Sequence, residues 1–287
     1  MNNSSYFQPI SDKFFFDNAK GKVRFGMTND YMFRAVLQES VEGLRGLIAS
    51  LLHLEPDQIS VEITNPILIG KAITDKEFRF DLNIIINGKI FVNLEMQNIN
   101  TFWDFRSLLY LSRSFDNILR GKSYDSVMSV IHIGLLNFSM SKSHPEFYSS
   151  CCLMNEKTHE VFNKDFSLRC IDLTNICLAT KEDKLYNIDK WATFLKADSW
   201  EVIKMLASQD PHIKDAAKRL YLANTDEQLR NLAFDIEEHQ LFIRSMKSKI
   251  ATLTRENEEM SAAIAKEKAD NERLRSLLAE NNINFDL

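Results

Sequence analysis

Apolar spacing divides the chain into segments of different character. After Thr28-Asn29-Asp30, the residues Met32, Phe33, Val36 and Leu37 of YMFRAVLQES fall on one side of a helical repeat, which predicts a capped amphipathic helix. VEGLRGLIASLLHL predicts a second, short helix. ISVEITNPILI, EFRFDLNIII and KIFVNLEMQ then predict strands, the last two joined at Asn87-Gly88, a strong hairpin signal. WDFRSLLYLSRSFDNILRG returns to helical spacing, with Gly121 as its C-cap. From Val127, VMSVIHIGLLNF is a continuous, β-branched apolar run and predicts a buried strand that rejoins the sheet. EFYSSCCLM and FSLRCIDL extend the sheet at an edge. Helices around Trp191 to Leu206 and Pro211 to Leu222 close it off, with Pro211 in a first turn. The order predicts an α/β core.

The last segment follows a different repeat. With Leu229 at position a, the a series runs Leu229, Ile236, Ile243, Ile250, Asn257, Ile264, Asn271, Leu278, and the d series Leu232, His239, Met246, Leu253, Met260, Glu267, Leu274. Eleven of these fifteen positions are apolar and neither proline nor glycine interrupts them, which predicts a coiled coil over 229–278. Isoleucine-rich a positions with Leu or Met at d favour two parallel strands, and asparagine at a fixes register and number; Asn257 and Asn271 stand there. The expected state is a parallel homodimer. His239 and Glu267 weaken the seam locally.

Composition narrows the class of protein. With 45% hydrophobic and 26% charged residues, the chain is expected to bury an ordinary globular core. No apolar run approaches the roughly 18 residues that span a bilayer, and MNNSSYFQPISDKFFF lacks a basic region followed by a sustained apolar one, so the expected location is the cytoplasm. Cys151, Cys152, Cys170 and Cys177 show no paired metal-ligand spacing and are expected to be small buried residues. The net charge is -5, but residues 226–287 hold thirteen Asp/Glu against nine Lys/Arg, leaving -1 for the first 225. A nearly neutral body neither requires nor excludes a polyanionic partner.

The hairpin carries the candidate chemistry. A three-residue loop, Asn87-Gly88-Lys89, sets Ile86 against Ile90, hence Asp81 opposite Glu95, with Gln97 on the same face by alternation. A two-residue loop pairs Asp81 with Leu94 instead and separates the acids. Two carboxylates at cross-strand distance repel unless a cation lies between them, and hard oxygen ligands suit Mg2+ or Mn2+. Such an ion serves hydrolysis of phosphodiesters, while the other reading of an acid pair at this spacing is a solvated strand edge.

FRFD…NLEMQ, preceded by TNDYMFRAVL and followed by FWDFRSLLYLSRSF…LRGKSYDSVMSVIHIGLLNF, resembles the PD-(D/E)XK nuclease family of transposases, also called recombination-promoting nucleases. The resemblance runs from about Met27 to about Leu222 and takes in KTHEVFNKDFSLRCIDL and the helical piece around Trp191 to Leu195. It implies a restriction-endonuclease-like mixed sheet flanked by helices that cuts DNA with a divalent metal. Carried over, Asp81 and Glu95 are metal ligands and Gln97 takes the place of the motif's lysine, as it commonly does in this family. Asp30 looks like the family's helical acid in the motif ND..F, with helix capping as its other reading. Arg106 and Tyr110 match the Arg and Tyr of the helix after the hairpin; Arg106 then either holds a phosphate or pairs with Glu95. His132 reads as a core histidine. An amide at 97 carries no positive charge, and Lys89 or Arg79 are the candidates to supply one.

The resulting division is an N-terminal arm over 1–26, a nuclease-like core over 27–185, a helical extension over 186–225 and a coiled coil over 226–282. The expected function is metal-dependent DNA cleavage in recombination or mobile-element movement. The rival expectation is a catalytically weak or inactive relative, a dimer that binds DNA or protein through the same face.

Overall fold

The computed structural model describes residues 15–67, 81–100, 102–119, 128–141 and 143–280. Among these, α1 (Asp30–Glu39) and α2 (Val41–Leu52) precede β1 (Val61–Ile63), β2 (Leu82–Ile86), β3 (Ile90–Gln97), α3 (Trp103–Leu119), β4 (Ser129–Leu136), β5 (Tyr148–Met154) and β6 (Val161–Asp172). Helices α4 (Lys181–Leu185), α5 (Ile188–Lys196), α6 (Trp200–Gln209), α7 (Pro211–Thr225) and α8 (Glu227–Glu280) follow. The mixed sheet flanked by helices is present, as expected. Gly121 and Arg79 lie outside the described residues.

The six strands are ordered β1-β2-β3-β4-β6-β5. β3, β4 and β6 run parallel, while β1, β2 and β5 each pair antiparallel with a neighbour. Of the two late segments β5 alone lies at an edge; β6 inserts between it and β4, so the expectation that both lie at an edge is half corrected. β5 pairs with β6 alone and closes that end of the sheet. That position explains a second correction. Cys170 is buried, but Cys151 and Cys152 on β5 are exposed, and so is Cys177 in the loop after β6.

The two faces of the sheet are covered by different helices. Leu82, Ile84, Ile86, Val92, Leu94, Met96, Ile131, Ile133 and Leu135 belong to one core with the buried residues of α1, α2, α5, α6 and α7. The opposite face takes α3: Trp103 packs with Leu136 and Cys170, and Leu111 with Val130. Caps set the helix starts. Asn29, not Asp30, caps α1 by accepting from the Met32 amide at 3.1 Å. Asp210 does the same for α7, where Pro211 fills the first turn as expected.

α8 is one helix of 54 residues. The chain divides into two compact units between Glu237 and Glu238. Leu229, Ala233 and Ile236 are buried in the core of the first unit, so Leu229 and Ile236 are spent within the body rather than offered to a partner helix. In the second unit the remaining seam is exposed, with Ile250, Leu253, Met260, Ile264 and Leu274 all open to solvent. No helix among the described residues is long and apolar enough to cross a membrane.

Candidate active site

The hairpin register answers the question its sequence leaves open. Ile86 pairs with Ile90 and Leu82 with Leu94, the three-residue-loop solution, so continuing one step brings Asp81 opposite Glu95. The turn is made by Asn87 and Gly88 at φ 50° and 66°, conformations those two residues adopt at low cost, and the Lys89 amide closes it on Ile86 O at 2.9 Å. Alternation then puts Asp81, Asn83, Asn93, Glu95 and Gln97 on the face that α3 covers.

Each acid is held by a polar neighbour. Asp81 Oδ2 accepts from Asn93 Nδ2 at 2.6 Å, and the same amide reaches Asn83 Oδ1 at 2.7 Å. The Asp81 carbonyl accepts from Asn65 Nδ2 and from Arg34 Nη1, while Arg34 Nη2 donates to Asn65 O. Arg34 is wholly buried on α1, and burial lowers it to about 10 with Asp81 opposing the fall. This buried guanidinium fixes the backbone where β2 begins. Asp30 Oδ1 accepts from Asn98 Nδ2 at 2.9 Å, and the same nitrogen donates to Thr28 O at 2.6 Å, tying the start of α1 to the end of β3.

Glu95 is the most perturbed of the group. It is 8% exposed. Its Oε1 accepts from Arg106 Nη2 at 2.6 Å, and Oε2 is buried without a hydrogen-bond partner. Burial pushes its carboxyl up to about 7; Arg106 opposes the rise, and Asp81 and Asp30 add to it. Asp81 and Asp30 therefore lie close enough to bear on the charge of Glu95. Among the described residues, however, no three His, Cys, Asp or Glu side chains close to metal-holding spacing. An all-oxygen pair with one buried, unpartnered carboxylate oxygen nonetheless suits a hard divalent cation.

The remaining candidates fall into place around this pair. Arg106 is stacked on Tyr110, one turn along α3, with its guanidinium carbon 5.5 Å from the ring centroid. Gln97 is half-buried and donates through Nε2 to Ile99 O at 2.9 Å. Lys89 does not serve the site: it sits exposed in the hairpin turn, about 20 Å from Glu95 at the usual strand rise. Arg106 is the nearby cation. Asn83 and Asn93 were not singled out by the sequence, although polar residues at alternate positions of apolar strands were a visible signal for them; Asn98, just past β3, carries no such signal. His132, read as core, is indeed buried but lies with Nε2 3.8 Å from Glu95 Oε2. Burial, with Arg106 adding to it, pulls its imidazole down to about 4 and keeps it neutral.

A search of curated proteins and a search of solved structures each returned no match. The family model described as PD-(D/E)XK nuclease family transposase matches residues 27–253, from the segment before α1, through the whole sheet, into α8. With that match spanning every element that builds the acidic hairpin, the chain belongs to the PD-(D/E)XK nuclease family of transposases.

Proposed function

We propose that the protein is a metal-dependent DNA endonuclease of the transposase or recombination-promoting type, with Asp81 and Glu95 as its metal ligands and Mg2+ or Mn2+ as the ion. The observation that carries this reading is the register that sets Asp81 opposite Glu95, combined with the unpartnered buried Oε2 of Glu95. Nucleases of this superfamily generally use divalent ions. The ion supplies Lewis acidity toward water and the scissile phosphate.

The chain's own residues orient and balance charge. Asn93 holds one Asp81 oxygen, leaving the carboxylate presented from a fixed angle. Arg106 holds Glu95 Oε1, and its guanidinium, one third exposed, has further N–H donors to turn toward a DNA phosphate. Tyr110 limits where that guanidinium can swing. Gln97 can donate to water or phosphate oxygen once released from Ile99 O, but brings no charge to a developing anion. Asp30 is a further acid for the same pocket. Plasmid nicking in Mg2+ tests the reading: wild type converts supercoiled to open-circular DNA, while Asp81→Ala and Glu95→Ala lose at least 100-fold in rate, on the order expected for removing a catalytic metal ligand. Equal nicking by all three would remove the hairpin from the mechanism.

The engagement of Gln97 with the Ile99 carbonyl supports a second reading, a dimeric module that binds DNA or protein with little catalysis. Salt-sensitive DNA binding without nicking by the wild type would select it.

We further propose that the chain pairs through α8 as a parallel homodimer. The exposed apolar seam supports a partner helix, and Asn257 and Asn271 support a matched register. Charge supports the direction. Asp270 at g and Arg275 at the following e are placed to meet across a parallel pair. Two bodies supply two sites, as cleavage of both strands requires.

A further inference from the structure

Beside Glu95 lies a histidine that the hairpin chemistry leaves unused. His132 of β4 is level with Asn93 of β3 in the parallel register, so it projects toward α3. Its ring stands close to Trp103, with centroids 5.5 Å apart at 28°, and to Tyr110, at 5.9 Å and 16°. Those two aromatics are two turns apart on α3 and share one stripe of it. Trp103 reaches its place because residue 134 is glycine: a Cβ there would come within 2.2 Å of the indole. Stacking against these two rings therefore fixes the plane of the imidazole.

Both His132 nitrogens are buried without a hydrogen-bond partner. A ring needed only for packing would be better supplied by phenylalanine, which has no polar atom to strand in the interior. Opposite Nε2, at 3.8 Å, is Glu95 Oε2, itself buried without a hydrogen-bond partner. Its sister oxygen is already taken by Arg106. The two atoms are complementary, and the gap between them exceeds a usual N–H···O hydrogen bond by about 0.8 Å. Such contacts commonly tighten when a site is loaded.

We infer that His132 is a positioning residue for Glu95. Its Nε2–H donates to Oε2, so the carboxylate is clamped by one donor on each oxygen, and the remaining lone pair of Oε2 is directed into the acidic pocket. Trp103 and Tyr110 hold the clamp by holding the ring. The inference rests on the reading of Glu95 as a ligand for a divalent ion, and gives that ligand a fixed direction.

Manganese titrated calorimetrically into the full-length protein tests it, with His132→Phe, His132→Gln and Glu95→Ala compared with wild type. His132→Phe keeps the stacking and removes the donor; it is expected to weaken Mn2+ binding about 10- to 100-fold without lowering the melting temperature. His132→Gln, whose amide nitrogen reaches the same oxygen, recovers most of the affinity. Nitrogen-15 spectra of the metal-free wild type show the His132 proton on Nε2. Wild-type affinity in His132→Phe, or a proton on Nδ1, overturns the inference. If His132→Phe does not fold, the ring proton and the Gln variant decide, with a Gln variant that binds no better than Glu95→Ala counting against it. Glu95→Ala separates the two levels of argument. Normal Mn2+ uptake by that variant overturns the metal reading and the inference together, while defective uptake there with normal uptake in His132→Phe overturns the positioning role alone.

Discussion

At the scale of single residues the site is a balance of burial against pairing, and pH should expose it. Glu95 is raised from 4.5 to about 7, chiefly by burial, so the folded chain holds a proton that the unfolded chain has released across that interval. This contribution to stability is complete below the unfolded value and is lost as pH rises through 7. His132 runs the other way: lowered from 6.5 to about 4, it destabilises the fold at low pH and stops doing so as pH rises through 6.5. The two slopes oppose one another between 4.5 and 6.5, so the contributions of these two groups offset each other there and that of Glu95 alone remains above it. Glu95→Gln isolates one of them. In urea denaturation with chelator present, the stability of the variant relative to wild type should grow from pH 5 to pH 8 by on the order of 3 kcal/mol. A difference independent of pH would mean that Glu95 is ionised in the fold throughout. The two acids were legible from their positions on the hairpin. Their keepers were less so, because Asn98 reaches Asp30 across 68 residues and His132 reaches Glu95 from a neighbouring parallel strand, distances no local pattern encodes.

At the scale of elements, the hairpin and α3 were readable and the sheet order was not. Asn87-Gly88 marks the turn and places Asp81 and Glu95 on one hairpin, but two- and three-residue loops both fit the sequence, and only the observed register sets the two acids opposite one another. β6 is different: its place between β4 and β5 depends on a parallel pairing whose partners are far apart in the chain, and its apolar run alone cannot distinguish an edge from an interior position. Cys151 and Cys152 were misread for the same reason, since they lie on β5, whose edge position its apolar run does not reveal. The seat of α3 on the sheet depends on Gly134, the residue opposite Glu95 in the β3–β4 register. Gly134→Ala forces its new methyl against the Trp103 ring and must push α3 outward or strain β4. Overpacking of this kind should cost about 1–3 kcal/mol in chemical denaturation, and the displaced helix should carry Arg106 away from Glu95. Unchanged stability together with unchanged nicking would show that α3 tolerates displacement and that its seat does not set the site.

At the scale of the whole molecule, the long helix serves two units, and this changes how its role must be tested. The heptad pattern runs without a break from Leu229, and nothing in the spacing marks that Leu229, Ala233 and Ile236 complete the core of the first unit. Asn29 records the same fact from the other side, since the residue that caps α1 also donates to Ala233 O at 2.9 Å. The family match agrees in extent, ending at 253 rather than at the last residue of α7. A chain cut after Thr225 therefore loses buried aliphatic side chains worth about 2–5 kcal/mol each, a large share of the roughly 5–15 kcal/mol that holds a domain together. Such a chain should unfold or aggregate, whatever α8 does for assembly. A chain ending at Gln240 keeps those contacts and discards the exposed seam. Sedimentation equilibrium should then find the full chain dimeric and the Gln240 chain monomeric, with the shorter protein still showing a cooperative urea transition. If the Gln240 chain is dimeric at the same concentrations, the seam is not what pairs the molecules, and the exposed apolar positions of α8 need another partner.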